Sequence, residues 1–445
     1  MEFDARAMWN AVQDVVSVTL GSGAVDAVGV TNQRASTIVW RASTGEPIGP
    51  ALGWQDLRTV GECIMARAEH GFALAPNQTA TKAAWMLAHY IADAGARADD
   101  DIRVGTVESW IVWNLTAGRH HVTDHTNAAV TGLTTPSGTE WNGAVFDALG
   151  LHVHQMPRIV ESAGFIGEAV ALPGAPPVTA IIGDQQSSMV GQGCIVPGRA
   201  KITFGTGGML DLFTGQRPPA SSRRNDSGTF PIVAYSRHGE VHYGTESIML
   251  SAGTNVEWLV SDMGLLPDAA SSDRIAAECA TSDGVVYVPA LLGLGTPWWD
   301  YGARGALFGI TRGTSRAHVV RAVLEGVAHR GVDLMEAAER DSGLTVDHLS
   351  IDGGMSRNST FVQSLADASG RPVHISPVTE ATTLGAGFLA GCEVGQWSHP
   401  ADAATHLAGV RTVDPLGSPG VSRQQWSEAV SRTRSWIPDL SALDF

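Results

Sequence analysis

Two short apolar runs that each break on glycine constrain this chain most. Ala180-Ile181-Ile182 ends at Gly183 and gives way to Asp184-Gln185-Gln186. Lys201-Ile202-Thr203-Phe204 ends in Gly205-Thr206-Gly207-Gly208. Short β-branched runs closed by tight polar loops read as buried strands of an α/β fold. A carboxylate at the end of such a strand is where these folds place a catalytic base. A Gly/Thr turn exposes backbone N–H groups and a hydroxyl, which hold phosphate without a cation. Together they suggest transfer of a phosphoryl group to a hydroxyl. Taken singly, Asp184 would read as a turn residue and the glycines as backbone punctuation.

The rest of the chain repeats strands followed by helices. Phe3, Met8, Trp9, Val12, Val15 and Val16 recur at helical spacing, so residues 1–20 predict an amphipathic helix. Ala27–Val30 reads as a strand that delivers Gln33 and Arg34 to a sheet edge. Ser36–Trp40 and the Thr44–Pro47 turn read as a hairpin. Helices are expected over Thr59–His70, Ala83–Ala92 and Gly105–Thr116, and Gly244–Trp258 reads as a turn and helix. Val320, Val323, Leu324, Val327 and Leu334 mark the buried face of a long helix from Ala317 to Arg340. Leu349–Ile351 is a strand that breaks into Asp352-Gly353-Gly354, where glycine permits close approach of a nucleotide. Val196-Pro197-Gly198 marks the boundary between domains 1–197 and 198–445.

Composition narrows the partners. A net charge of −16 over 445 residues argues against nucleic acid or an anionic membrane. Cys63, Cys194, Cys279 and Cys392 stand far apart, which suggests neither a disulfide framework nor a thiolate metal site and fits a cytoplasmic protein. The acidic start, MEFDARAMWN, is not a signal peptide.

Several ordered blocks carry a resemblance: TNQR at Thr31–Arg34, GWQDLRT at Gly53–Thr59, GTVESWIVWNLTAG at Gly105–Gly118, VTDHTNAA at Val122–Ala129, GDQQ and TFGTGG as above, GLGTPWWDYGARGALFGITRG at Gly293–Gly313 and DGGMSRN at Asp352–Asn358. With them the chain resembles the FGGY family of sugar kinases, its glycerol kinase branch most of all. The resemblance implies an α/β protein of two ribonuclease H-like domains, of the actin/hexokinase/Hsp70 type, with ATP in the cleft between them. It implies Mg²⁺ with the ATP, a small polyol or sugar as acceptor, and possible homodimers as a family-level expectation. In the family a strand–turn–strand with a phosphate-binding turn precedes the first helix. Nothing here matches it, so the first domain is expected to lack its opening strands.

By resemblance Asp184 is the general base and reaches the metal's water shell. Gln33, Arg34, Trp54, Asn77, Gln185 and Met209 line the acceptor. Gly205, Thr206 and Gly207 hold the γ-phosphate, and Gly253, Glu257, Gly353, Gly354 and Asn358 line the adenosine. Three positions depart from the glycerol kinase pattern: Ala35 replaces a Glu, Asn77 a Tyr and Met209 a Phe. A wider, differently polar pocket is expected, which turns the expectation from glycerol toward a longer polyol or a ketose. The alternative from another class is an impaired or inactive remnant that binds sugar and nucleotide without transferring phosphate. An actin-like filament or chaperone ATPase shares the architecture but not the GDQQ and NQR blocks.

Overall fold

The structure is a computed structural model that describes residues 1–442, except positions 22, 94, 222, 379, 406–408 and 418–419. Its backbone is one mixed sheet of ten strands: β1 (Val28–Asn32), β2 (Ala163–Glu168), β3 (Pro177–Gly183), β4 (Ala200–Phe204), β5 (Gly208–Gly215), β6 (Phe230–Arg237), β7 (Glu240–Met249), β8 (Leu349–Asp352), β9 (Val373–Ile375) and β10 (Arg411–Val413). Across the sheet the order is β10-β9-β8-β4-β5-β7-β6-β2-β3-β1. A single pairing, Arg237 with Ala163, joins β6 to β2 and so links strands of the two halves of the sequence. A separate four-stranded sheet includes Glu2–Phe3, Thr37–Arg41, Ala51–Leu52 and Ile102–Thr106.

Helices cover both sets of strands. They include α1 (Ala5–Leu20), α2 (Val107–Leu115), α3 (Asp184–Gly191), α4 (Thr254–Ser261), α5 (Arg316–Ser342), α6 (Ser359–Ser369) and α7 (Ala381–Glu393). Helix α5 begins on a Ser315–His318 capping box and stops at Gly343 in the left-handed region. All five residues expected on its buried face are 0% exposed. They pack on Ile202, Phe204, Leu210 and Leu212 of β4 and β5. Helix α7 lies against α3: a Cβ on Gly385 would sit 1.8 Å from the Ser187 carbonyl oxygen. Only a residue without a side chain allows that approach, so the small-residue run in α7 sets how tightly the helix bearing Asp184 is held.

Two expected elements are corrected. Gly105–Thr116 is not one helix: it starts as the end of strand Ile102–Thr106, and α2 follows. Gly244–Trp258 is not a turn and helix. Its first part belongs to β7, a ten-residue strand, and α4 begins only at Thr254. The Thr and Tyr residues of VHYGTESIM favour the pleated surface, and β5 and β6 pair with that strand on either side.

Candidate active site

The site grows from strand register. β1 and β3 are parallel neighbours, and Asn32 pairs with Gly183. Both strands therefore end at one level, and the next residues, Gln33-Arg34 and Asp184, leave the same edge. A Cβ on Gly183 would stand 2.8 Å from Arg34 Cγ and Cδ, so glycine makes room for the arginine stem. Arg34 Nε lies 3.3 Å from Asp184 Oδ1. Its Nη2 donates to Glu246 Oε2 at 2.6 Å, and Met209 Sδ is 4.0 Å away. Its Nη1 is buried without a partner. A buried charged donor left unpaired is costly, so this atom marks where an acceptor oxygen would be welcome.

Asp184 starts α3, where the helix dipole favours an anion. Its Oδ1 accepts from the Gln185 backbone N–H at 2.8 Å. Oδ2 accepts no hydrogen bond from the described residues and remains open to take a proton. Burial raises the Asp184 carboxyl above its ordinary range, against the pull of Arg34 and the Gln185 N–H. Burial likewise raises Glu246, against Arg34. Burial alone would lower the Arg34 guanidinium, but Glu246 and Asp184 outweigh it and raise it.

A row of charges continues across the sheet. Lys201 in β4 pairs directly with Asp211 in β5, and Asp211 with Glu246 in β7. Direct partners in antiparallel strands share a face, so the three side chains stand together. Lys201 Nζ is 2.8 Å from Asp211 Oδ2, and both side chains are fully buried. Lys201 also donates to Gln185 Oε1 at 2.6 Å. The row Gln185, Lys201, Asp211, Glu246, Arg34 and Asp184 thus joins residues of both halves.

Beneath β1 and β3 lies a buried polar network drawn from the GTVESW and VTDHTNAA blocks. Asn32 Nδ2 donates to Glu108 Oε2 at 2.8 Å and to Asn127 Oδ1 at 3.0 Å. Asp124 Oδ1 accepts from Thr126 and Asn127. The Thr126 hydroxyl in turn accepts from the Gly183 N–H at 2.8 Å. The network fixes the two strand ends that carry Arg34 and Asp184. Burial pushes the Glu108 carboxyl up to about 7, against hydrogen bonds from Thr106 and Thr123.

The turn expected to hold phosphate is built from backbone. Gly205 N–H donates to Gly207 O, and Gly253 N–H donates to Gly205 O at 2.8 Å. Thr206 O accepts from Ala252 N–H at 2.8 Å, and the Thr206 side chain is exposed. Gly353 has φ +86°, and a Cβ there would meet Phe204 O at 2.5 Å. Gly205–Gly207, Ala252–Thr254 and Gly353–Gly354 therefore converge at the ends of β4, β7 and β8. Ser188 Oγ in α3 donates to Asp352 Oδ2 at 2.9 Å, tying this side to the helix of Asp184.

The expected site residues divide accordingly. Arg34, Asp184, Gln185 and Met209 come together, and Gly205, Thr206, Gly207, Gly253, Gly353 and Gly354 form the backbone cradle. Gln33, Trp54 and Asn77 are exposed, and their side chains make no hydrogen bond to that cluster. Glu257 is exposed in the first turn of α4, a place that favours an acidic side chain for helix stability alone. Asn358 is committed to structure: its Oδ1 caps α6 through Phe361 N–H and its Nδ2 donates to Ser272. Glu246 and Asp211 were missed. In Leu210-Asp211-Leu212 alternation sets Asp211 on the face opposite the core leucines, and only the folded register shows that this face is buried too.

Among the described residues no cluster of three or more His, Cys, Asp or Glu side chains is placed to hold a metal ion. Magnesium carried by a nucleotide asks for less, because it keeps waters and phosphate oxygens and uses one or two carboxylates. The open Oδ2 of Asp184 and the buried, unpartnered Oδ1 of Asp352 suit that requirement.

A mixed sheet with a carboxylate at one strand end and a glycine-rich backbone turn at another is an arrangement suited to an α/β phosphotransferase. The chain matches the FGGY family of carbohydrate kinases, its N-terminal domain over residues 1–191 and its C-terminal domain over residues 200–393. It is 39% identical to a glycerol kinase of Aromatoleum aromaticum over 433 residues, covering 94% of this chain and 86% of that protein. It is 38% identical to a glycerol kinase of Dechloromonas aromatica, covering 98% and 90%. Among solved structures, a Plasmodium falciparum glycerol kinase with ADP superposes with a TM-score of 0.87 at 27% identity, over 97% of this chain and 90% of that one. A xylulose kinase from Rhodospirillum rubrum shares the fold, with a TM-score of 0.78 at 23% identity, over 99% and 89%.

The chain belongs to the FGGY family of carbohydrate kinases. It is a phosphotransferase that uses ATP and an alcohol group of a sugar or polyol. The N-terminal family match begins at residue 1, so it gives no sign of the missing opening strands expected from the sequence. The binding-only alternative finds no support in these relatives. No helix among the described residues is long and apolar enough to cross a membrane.

Proposed function

We propose that this kinase phosphorylates a primary hydroxyl of a polyol or ketose longer than glycerol, with the donor Mg·ATP between domains 1–197 and 198–445. The observation that carries the reading is Arg34, held between Asp184 and Glu246 with Nη1 buried and unsatisfied. A guanidinium fork fixed on both sides is suited to a vicinal diol or a carbonyl. The substitution of Ala35 for a Glu removes a charge beside it, and Met209 near Arg34 is more adaptable than an aromatic ring.

Asp184 Oδ2 takes the proton of the attacking hydroxyl as its oxygen bonds to the γ-phosphorus. The bond from that phosphorus to the bridging oxygen breaks, and ADP leaves. Magnesium, when bound, neutralises phosphate charge. The Gly205–Gly207 turn and the Thr206 hydroxyl hold the γ-phosphate, and Gly253, Gly353 and Gly354 leave room for the nucleotide. Gln185 and Arg34 orient the acceptor.

ADP release measured over glycerol, erythritol, xylitol, ribitol and D-xylulose tests this. The expected result is stimulated release with a higher kcat/KM for one of the longer acceptors than for glycerol. Glycerol as the best acceptor, or binding without release, overturns it.

A further inference from the structure

The buried Lys201–Asp211 pair has no part in the chemistry above, yet it touches the acceptor side of the site. An ammonium has three N–H donors. Lys201 Nζ donates to Gln185 Oε1 at 2.6 Å and to Thr203 Oγ1 at 3.0 Å, and stands 2.8 Å from Asp211 Oδ2 as an ion pair. Neither side chain of the pair is exposed at all. Buried ion pairs are often replaceable by apolar residues without loss of stability, so stability alone gives weak reason for one here.

We propose that Lys201, neutralised by Asp211, is a positioning residue that fixes which way the Gln185 amide points and thereby which acceptors fit. The proposal rests on the kinase reading above. An amide flipped about its end would aim its NH₂ at the ammonium, donor against donor, so Lys201 holds Oε1 on its own side. Gln185 Nε2 has no hydrogen-bond partner among the described residues. Both of its N–H groups are left for a hydrogen-bond acceptor. The oxygen next to the reacting hydroxyl must therefore offer lone pairs, as a ketose carbonyl or a hydroxyl does. An analogue carrying hydrogen there leaves the N–H groups unpaired.

The test is a double-mutant cycle on the best acceptor of the panel. Lys201→Met with Asp211→Leu removes the pair without stranding a charge. It is expected to raise the KM for that acceptor about tenfold or more while the KM for ATP stays within about twofold. In a Gln185→Ala background the same change is expected to move the acceptor KM by no more than about twofold, because nothing remains to be oriented. Equal cost in both backgrounds overturns the proposal and leaves the kinase reading intact. A wild-type protein that neither turns over nor binds any member of the panel overturns both. Should the pair variant fail to fold, Gln185→Glu decides: it keeps the contact to Lys201 and loses the donors. An unchanged thermal midpoint with a raised acceptor KM supports the proposal, and an acceptor KM within about twofold of wild type overturns it.

Discussion

Gly183→Ala is a one-methyl perturbation that separates positioning from stability. Gly183 has φ −63° and ψ 152°, an ordinary extended conformation for alanine, so the backbone bears no strain. The new Cβ would stand 2.8 Å from Arg34 Cγ and Cδ, against an ordinary contact of 3.4 Å or more. The arginine stem must retreat by about 0.6 Å. Its guanidinium is held at 2.6 Å by Glu246 and at 3.3 Å by Asp184, so it cannot retreat and keep both. In a medium of effective dielectric about 20, lengthening a pair near 2.6 Å by that much weakens it by about 1 kcal/mol. Misplacement of an orienting group by ~1 Å costs up to about 10²-fold in rate. The expected loss in kcat/KM for the acceptor is about ten- to a hundredfold. Overpacking costs about 1–3 kcal/mol, which the lower chain entropy of alanine offsets by about 0.4–1 kcal/mol, so the variant folds. Steady-state kinetics with denaturation of the same samples provide the assay. A folded variant with kcat/KM within about threefold of wild type would refute the claim that Gly183 seats Arg34, since it falls short of the misplacement cost.

Other perturbations reach other parts of the site. Gly353→Ala puts a Cβ 2.5 Å from Phe204 O at a φ of +86° and is expected to destabilise by about 1–3 kcal/mol and raise the KM for ATP more than that for the acceptor; equal effects on both would count against a nucleotide role for this turn. Glu108 has its folded value raised from 4.5 to about 7 by burial, so its contribution to stability is fully present below 4.5 and lost as the pH rises through 7. Denaturation of wild type and Glu108→Gln between those limits should show wild type losing stability relative to the variant, and parallel curves would contradict this. Ser188→Ala strands Asp352 Oδ2 and is expected to cost about 1–3 kcal/mol and lower kcat; unchanged kcat would mean that the link between α3 and the nucleotide side carries no functional coupling.

What the sequence made legible was local. Asp184 and Arg34 were placed at strand ends because an apolar run breaking on a polar turn states its own geometry, and parallel register then brings them together. The glycine cradle was legible for the same reason. Glu246 was not, because Gly244–Met249 lacks a strong apolar run and its burial comes from strands β5 and β6 on either side. Asp211 and Lys201 look like an ordinary pair of surface charges until register sets them opposite each other in a dry layer. Trp54 and Asn77 were assigned by motif position, and in the folded chain they remain exposed and unbonded to the charged cluster. Placement by motif says which loop a residue is on, whereas contact depends on how that loop packs.

In the proposed reaction Asp184, with Oδ2 open and Oδ1 tied to Gln185 N–H and Arg34, receives the acceptor's proton. Turnover of Asp184→Asn with ATP and the best acceptor is the direct measurement. Asparagine keeps the size and an oxygen for the Gln185 N–H, so the fold and ATP binding should persist while kcat falls by about 10²- to 10⁴-fold. A folded Asp184→Asn enzyme with kcat within about tenfold of wild type would contradict the assignment of the base, since it falls short of the usual worth of proton transfer.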